Sequence, residues 1–286
     1  MGIRREMTAA GLPVVVGVDG CESGLRAVEW AAAEAVRREV PLRVVHAALG
    51  PHCEGAPVAR EPGGPARQAG PGDIVDAAAR RARRLHPDLP VHVEVVPEEP
   101  EYELVRRSRQ ASAVVVGTHG RSGVAEALLG SVGLTVAAHA HCPVIVVRGG
   151  GHPPRGRVVV GVGEGPETPA AVRFAVEEAR RRGVPLDAVR VWRRPAREPA
   201  GRAPAYGERA AALLRAALRE APPDLRVDGR TVEGHARTVL AEASLRADLL
   251  VLGAERRGRH GRPLSRVAQA VLHRAACPVA LVPQRA

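Results

Sequence analysis

The chain is an internal duplication, and this feature limits its possible folds more than any other. The segment Ala111–Gly117 (Ala-Ser-Ala-Val-Val-Val-Gly) is repeated as Ala247–Gly253 (Ala-Asp-Leu-Leu-Val-Leu-Gly), and a Cys-Pro-Val sequence recurs at Cys142 and Cys277. The number of residues that separates equivalent positions of the two copies decreases towards the end of the chain. The second copy is therefore shorter than the first. The chain must therefore fold as two related units.

Chain length and a distinctive linker place the boundary between the two units. A length of 286 residues fits two domains at roughly 150 residues each, and each domain is large enough to close its own core. The segment Gly149–Arg155 (Gly-Gly-Gly-His-Pro-Pro-Arg) combines flexible and stiff linker chemistry. We predict domains at residues 1–151 and 152–286.

Short apolar runs rich in β-branched residues alternate with helical patterns in both copies. This alternation predicts parallel strands that are buried on both faces and joined by right-handed crossovers. The predicted fold class is α/β, with two tandem open, doubly wound, five-stranded parallel sheets of Rossmann-like type. In the first copy we expect strands at Val14–Val18, Leu42–Ala47, Val91–Val96, Ala113–Val116 and Val144–Val147, and helices at Glu22–Arg38, Ile74–Leu85, Glu101–Arg109 and Val124–Ala140. In the second copy we expect strands at Val158–Val162, Asp187–Val191, Arg226–Val232, Leu249–Leu252 and Val279–Val282, and helices at Pro169–Arg182, Gly207–Ala221, Arg237–Arg246 and Val267–Ala275.

A glycine array follows the fourth predicted strand of the first copy. Gly117, Gly120, Gly130 and Ser131 form the pattern Gly-x2-Gly-x9-Gly-Ser. Glycines let backbone N–H groups approach an anion, and a strand that leads into a helix places those groups at the positive end of the helix dipole. Asp19 follows the first strand at the same edge of the sheet, where ligands bind in open α/β folds. The array predicts a phosphate cradle, and Asp19 is either an acceptor for a ribose or base, or the N-terminal cap of the next helix.

The absence of lysine excludes several nucleotide and cofactor chemistries. All 42 basic residues are arginine. A Walker A loop, a kinase β3 lysine and a pyridoxal Schiff base each require lysine. Any phosphate must therefore be held by backbone amides and arginine.

The positive charge is concentrated in the second half of the chain. Acidic and basic residues balance over residues 1–150, so the net charge of +11 belongs to residues 151–286. Two Trp, two Tyr and one Phe are too few for a base-stacking platform, and no helix-turn-helix or zinc-finger spacing is present. We expect a solvated arginine-rich surface without specific nucleic-acid binding, with nonspecific polyanion contact as the alternative.

Neither the cysteines nor the apolar segments indicate a metal, redox or membrane function. The four cysteines lie far apart without Cys-x-x-Cys spacing, so we expect neither metal nor disulfides. Cys142 and Cys277 are expected as buried apolar residues, and Cys21 as the most exposed thiol. No apolar stretch approaches the roughly 20 residues that span a bilayer, and the first residues lack a signal-peptide core, so we expect a cytoplasmic protein.

Taken together, these motifs resemble the universal stress protein family in its tandem two-domain form. The resemblance rests on the glycine array and on three further segments: Val16–Gly20 (Val-Gly-Val-Asp-Gly), Val45-His46, and His141–Val147 (His-Cys-Pro-Val-Ile-Val-Val). It covers nearly the whole chain and implies an ATP site in the first copy, with or without Mg²⁺. Two departures occur there. Cys21 replaces the usual serine, and Pro97–Pro100 (Pro-Glu-Glu-Pro) replaces a Gly-x-Pro-Ala turn, which adds acid near the fourth helix.

The resemblance also implies a role for individual residues of the first copy. Those at the ends of the first two strands meet the adenosine, and those of the array and the following helix start meet the ribose and phosphates. The implied adenosine contacts are Val18, Asp19 and the backbone of Ala47; the implied ribose and phosphate contacts are Gly117, Gly120, Gly130, Ser131 and Val132, with Arg121 as a candidate countercharge.

The second copy does not keep this pattern. Gly163 stands at the position of Asp19, Arg256 replaces the second glycine, and Ser265-Arg266 replaces Gly130-Ser131 after a loop that is one residue shorter. A non-glycine residue strains a close backbone approach, and a bulky side chain at the helix start occupies the space of a phosphate. We therefore predict no ATP binding of this kind in the second copy. Either the motif has drifted, or guanidinium groups form another anion site, for which the candidates are Arg256, Arg257, Arg259, Arg262 and Arg266.

We do not expect this chain to be an enzyme. Hydrolysis of ATP needs a positioned water, a metal-holding acid and charge stabilisation at the γ-phosphate. Glu126 is the acid within the array, and His119 is the candidate base. Slow hydrolysis stays open as an alternative.

Three functions from different classes remain. The first, which we favour, is an ATP-binding stress or dormancy regulator that responds through conformation or assembly. The second is a hydrolase or nucleotidyl-transferring enzyme, and the third is a polyanion-binding or scaffold protein that uses the arginine-rich second domain. The final strands Val144–Val147 and Val279–Val282 are expected at sheet edges, which invite a partner strand. We accordingly expect the two copies to pair with each other within the chain. We also expect two chains to form a homodimer.

Overall fold

Strands and helices alternate within each of the two repeats. The computed structural model describes residues 11–48, 70–118, 130–148, 155–194, 203–254 and 264–284. The first repeat contains β1 (Val14–Gly17), α1 (Glu22–Arg38), β2 (Leu42–Ala47), α2 (Pro71–Leu85), β3 (Val91–Val96), α3 (Pro100–Arg107), β4 (Ala113–Gly117), α4 (Ser131–His139) and β5 (Val144–Val147). The second contains β6 (Val158–Gly161), α5 (Thr168–Arg182), β7 (Leu186–Trp192), α6 (Ala203–Ala217), β8 (Val227–Glu233), α7 (Ala236–Ser244), β9 (Leu249–Ala254), α8 (Arg266–Arg274) and β10 (Val279–Pro283).

The ten strands form one sheet in the order β3-β2-β1-β4-β5-β10-β9-β6-β7-β8. Neighbours within each repeat are parallel, as the α/β prediction requires, and the Rossmann-like fold class is confirmed. The two halves meet where β5 and β10 run antiparallel, with Ala280 opposite Ile145. The sequence predicted β5 and β10 as the edge strands of two separate sheets. Their backbone groups instead hydrogen-bond to each other within one chain and join the two halves into one sheet.

Strand burial follows from residue type and from the two-residue period of a strand. Val14 and Val16 point into one apolar layer, and Val15 points into the layer on the other face. All three are at most 1% exposed because helices cover both faces of a parallel sheet. This explains why the strands read as unbroken apolar runs.

Several predicted boundaries differ from the structure. β1 and β6 end at Gly17 and Gly161, one residue before the predicted ends. The first residues of the helix predicted at Val124–Ala140 lie outside the described part of the chain, and α4 begins at Ser131. Helix α6 spans Ala203–Ala217 rather than Gly207–Ala221, because Pro204 is compatible with a first helical turn and Gly207 marks no boundary.

A symmetric charged cluster joins the two repeats between α1 and α5. Arg38 Nε lies 2.7 Å from Glu34 Oε1, and Arg182 lies 2.6 Å from Glu34 Oε2. Glu178 accepts from Arg38 at 2.8 Å and from Arg182 at 2.9 Å. All four side chains are at most 8% exposed. Each carboxylate contacts both arginines, so the buried charges compensate each other inside the interface. We call Glu34, Arg38, Glu178 and Arg182 the interface quartet.

Candidate functional site

A cavity of about 310 Å³ opens at the carboxyl ends of β1, β2 and β4. This is the edge at which ligands bind in open α/β sheets. The structure brings seven of the predicted site residues to this one cavity: Val18, Asp19, Ala47, Gly117, Gly130, Ser131 and Val132. The other two, Gly120 and Arg121, lie outside the described residues.

Asp19 is oriented by the loop that follows β1. Its Oδ1 accepts a hydrogen bond from the amide of Cys21 at 3.1 Å. The N-terminal cap of α1 is Cys21 instead, whose Sγ accepts from the amide of Gly24 at 3.3 Å. The alternative role of Asp19 as the helix cap is therefore wrong, and its half-buried carboxylate borders the cavity.

The Cys21 thiol is the most accessible of the three described cysteines. It is partly buried and also contacts Ser23 Oγ at 3.0 Å. Burial, and then the hydrogen bond with Asp19, raise the pKa of Cys21. Because the thiolate is the reactive form, this cysteine serves as a helix cap rather than as a nucleophile.

The N-terminus of α4 presents free amides to the cavity. Its cap is Gly130, which provides no side chain to accept from the first turn. The amide of Gly130 itself donates to Thr118 O at 3.1 Å, so it is engaged within the protein. The amides of Ser131 and Val132 have no intrahelical acceptor by helix geometry. They lie at the positive end of the helix dipole, which makes this helix start suitable for an anion.

Gly117 is required by packing as well as by its place in the cavity wall. A Cβ at this position would lie 2.8 Å from the carbonyl oxygen of Ser23, which belongs to the backbone of α1. Backbone atoms cannot move aside as a flexible side chain can. The close approach of β4 to α1 therefore demands glycine even without a ligand.

Sequence reasoning missed part of the wall, which comes from α3. Pro100 and Leu104 line the cavity. Next to them, Glu101 Oε1 accepts from the hydroxyl of Ser131 at 3.2 Å. The acidic departure at Pro97–Pro100 was the available signal, but it did not show that the carboxylate nearest α4 belongs to Glu101.

His46 at the end of β2 is a structural residue of the first cleft. It is 2% exposed, and its Nδ1 lies 2.8 Å from Val18 O, which ties the ends of β1 and β2 together. In the second repeat Arg190 occupies the matching strand position and donates to Val162 O at 3.1 Å. Both repeats thus brace the same two strand ends with different side chains.

The second repeat has a larger cleft of about 800 Å³ at the matching edge, beyond β6, β7 and β9. Gly163 lines it where the first repeat has Asp19. Glu167 lies in the wall against Gly253, so close that a Cβ on this glycine would collide with it. The Glu167 side chain in the second cleft therefore occupies the place of the Ser23 backbone in the first.

The helix start in the second cleft also differs. Ser265 caps α8, and its Oγ accepts from the amide of Ala268 at 3.1 Å. This bond uses an amide that stays available in α4. Arg266 is the one member of the predicted arginine group that the structure describes; it is exposed at the cleft, whereas Arg256, Arg257, Arg259 and Arg262 lie outside the described residues.

Other expected features can be compared with the described part of the chain. None of its three cysteines forms a disulfide, and burial raises the pKa of both Cys142 and Cys277 to about 12. No group of three or more His, Cys, Asp or Glu among the described residues could hold a metal ion. None of the described helices is both long and apolar enough to cross a bilayer.

Comparison with known proteins identifies the family. The model of the universal stress protein family matches residues 12–148 and again residues 154–283. A universal stress protein of Mycobacterium tuberculosis is 33% identical over 289 residues, covering 95% of this chain and 97% of the relative. A second from the same organism is 31% identical over 283 residues, covering 94% and 95%. The chain belongs to the universal stress protein family.

Solved structures agree with the fold. A universal stress protein from Archaeoglobus fulgidus superposes with a TM-score of 0.61 at 16% identity, covering 96% of this chain and 97% of that one. A protein described as a putative universal stress protein from Pseudomonas aeruginosa gives 0.65 at 13% identity, covering 96% and 94%. At these identities the likeness concerns the fold alone.

Proposed function

We propose that this chain binds one ATP, in the cleft of the first repeat, and regulates a stress or dormancy response through nucleotide-dependent conformation or assembly. The observation that carries the proposal is the meeting of the Asp19 carboxylate and the uncapped start of α4 in one cavity. A carboxylate at a strand end accepts hydrogen bonds from ribose hydroxyls, and a helix start favours phosphate. One cavity thus provides for both ends of a nucleotide.

The proposed orientation follows from the two ends of the cavity. Adenosine lies near Val18, Asp19 and the backbone of Ala47, and the phosphates extend towards Ser131 and Val132. Gly120 and Arg121 belong to the proposal through the family resemblance. Mg²⁺, where it accompanies ATP, is held through the phosphates, since the described residues offer no cluster of metal ligands.

We propose further that ATP is bound without being turned over. Among the described residues that line the cavity, Asp19 is the one acid and none is histidine. A bound nucleotide can bias a conformational equilibrium through differential affinity alone, without chemistry. In this proposal the protein acts in the cytoplasm, and ATP changes either its conformation or its assembly as a homodimer.

Titration calorimetry of the full chain with ATP tests the binding site. We expect one ATP per chain, and Asp19→Ala should weaken binding at least about tenfold, or about 1.4 kcal/mol. Asp76→Ala is the matched control, because Asp76 is exposed on α2 away from the cavity. Gly117→Ala is unsuitable, since its Cβ would meet Ser23 O whether or not ATP binds. Two sites per chain, or none, would contradict the proposal.

The regulatory output needs its own measurement. Hydrogen exchange and sedimentation with and without ATP should show protection in the first repeat or a change in assembly. Both effects should disappear in Asp19→Ala and persist in Asp76→Ala. The hydrolase alternative would be favoured if phosphate is released at the rate at which bound ATP disappears, and if Asp19→Ala abolishes this release.

A further inference from the structure

The second cleft contains a buried carboxylate without a hydrogen-bond partner. Glu167 is 8% exposed, lies in the cavity wall, and its Oε2 has no partner. It precedes α5, whose dipole stabilises a negative charge at this end. An unsatisfied buried carboxylate is nevertheless costly, and donors from a ligand would remove that cost.

The rest of the wall limits the charge of such a ligand. Glu164 lies at the rim and forms an ion pair with Arg190, and Arg266 lies at the start of α8. Glu167 opposes a phosphate, and Ser265 already occupies one amide of the helix start. Arg190 and Arg266 oppose a full positive charge. Among the described residues of the cleft, this balance fits an uncharged ligand with several hydrogen-bond donors.

The remaining surface of the cleft indicates the shape of the ligand. Its walls are mostly apolar, and its volume of about 800 Å³ falls within the range of small-molecule sites. Apolar walls favour a body without charge, and a carboxylate can accept from two adjacent hydroxyl groups, as acidic residues do with ribose. The apolar wall residues include Val162, Val189, Val191, Leu240, Leu252 and Leu264.

We propose that the second cleft binds an uncharged ligand carrying adjacent hydroxyl groups on an apolar body, as in a ribonucleoside without phosphate, and that Glu167 accepts from those hydroxyls. This inference concerns a different cleft from the proposed ATP site. The second repeat has therefore exchanged the anion-binding chemistry expected of the first for a carboxylate that selects hydroxyl donors.

The test uses the full chain with Asp19→Ala, so that binding at the first cleft is weakened. Adenosine, guanosine, cytidine and uridine are titrated by calorimetry, followed by the 2′-deoxy form and the 5′-monophosphate of whichever binds. Free ribose separates a sugar site from a nucleoside site. We expect one nucleoside per chain. The deoxy form should bind at least about tenfold more weakly, because without the hydroxyl the buried carboxylate is left without a hydrogen-bond donor. The monophosphate should also bind at least about tenfold more weakly.

Two variants attribute the binding to the carboxylate. Glu167→Gln preserves the shape of the side chain and should weaken the nucleoside at least about tenfold, whereas Glu177→Gln, on the exposed face of α5, should leave it unchanged. The comparison of ribo and deoxy forms needs no variant, so it stands even if Glu167→Gln fails to fold. Absence of binding by every nucleoside, equal binding of the monophosphate, or tighter binding of free ribose would overturn the inference. Retained ATP binding in the unmodified chain would show that the first-cleft proposal survives such a result.

Discussion

The two clefts have the same backbone fold but differ in the side chains and helix starts that face a ligand. In the first, the N-cap of α4 is Gly130, which has no side chain to accept from the first turn, and the carboxylate of Asp19 follows β1. In the second, Ser265 caps α8, and the carboxylate has moved to Glu167 at the start of α5. A duplicated fold can thus change the kind of ligand it suits at a few positions where strands end and helices begin, without any change in sheet topology.

The interface quartet shows the opposite behaviour. Glu34 and Arg38 on α1 correspond to Glu178 and Arg182 on α5, and each carboxylate contacts both arginines. The symmetry extends to aromatic rings, since Arg38 lies 5.3 Å from the Phe174 centroid and Arg182 lies 5.4 Å from that of Trp30. The repeats have remained equivalent where they contact each other and have diverged where they face solvent and ligand.

The largest predicted effect tests this equivalence. Arg38→Met and Arg182→Met should each lower the free energy of unfolding by about 3–5 kcal/mol, because each removes one buried positive charge and leaves two buried carboxylates to share the remaining arginine of the quartet. Arg37→Met is the control. Its side chain is 36% exposed and lies 3.5 Å from Glu34, so the loss should be under about 1 kcal/mol. Urea unfolding measures all three, and unequal losses for Arg38 and Arg182 would break the equivalence.

A smaller effect should appear when pH alone is changed. Burial would raise the pKa of Glu34, but Arg182 and Arg38 outweigh it and lower this pKa to about 2. Burial, and then the charge of Glu34, raise the pKa of Glu178 to about 7. Since the two carboxylates titrate as a pair, these values describe the quartet rather than either residue.

The sign of the pH dependence follows for each value. A lowered pKa gives stability that is present above the ordinary glutamate pKa of about 4.3 and is lost as pH falls towards 2. A raised pKa gives stability that is present below about 4.3 and is lost as pH rises through 7. The difference in unfolding free energy between the native chain and Glu34→Gln/Glu178→Gln should be greatest near pH 4 to 5. A flat difference from pH 3 to 8 would show that the quartet does not titrate.

The next prediction compares the glycines beside the two clefts. Gly117→Ala and Gly253→Ala should each cost about 1–3 kcal/mol of stability through overpacking. The collision partner is backbone at Gly117 but the Glu167 side chain at Gly253. Glu167→Ala should therefore rescue Gly253→Ala, whereas Ser23→Ala should not rescue Gly117→Ala. Double-mutant cycles measured by thermal unfolding check this, and equal rescue in both repeats would contradict it.

The smallest predicted effect concerns the acid beside the first cleft. Glu101 places negative charge at the start of α4, where phosphate is proposed to bind. Glu101→Gln should tighten ATP binding by about 2- to 5-fold, which corresponds to about 0.3–1 kcal/mol for a charge near a helix start. Glu99→Gln is the control, because Glu99 is exposed just before α3. Calorimetry in the absence of Mg²⁺ measures the difference, and weaker binding in Glu101→Gln would show that this carboxylate assists the nucleotide.

Much of the fold could be predicted because it depends on local patterns. The bounds of α1, β2, β3 and β5 match the prediction, since apolar periodicity and strand-flanking signals decide them locally. The ends of α6 could not be placed, because a proline in the first turn and a glycine inside a helix are both tolerated there. Seven of the nine predicted site residues lie around one cavity for a similar reason: the carboxyl ends of parallel strands meet at one edge.

The sequence by itself determined the duplication, the alternation of strands and helices, and the family. These features follow from local motifs and from the periodicity of apolar residues, which can be recognised without a structure. Only the tertiary structure showed that Cys21 rather than Asp19 caps α1, that Glu101 contacts Ser131, and that Glu167 lies buried in the second cleft. The contact of Glu101 and the burial of Glu167 depend on how each helix packs on the sheet. Side-chain direction across elements is set by packing, which no local pattern encodes.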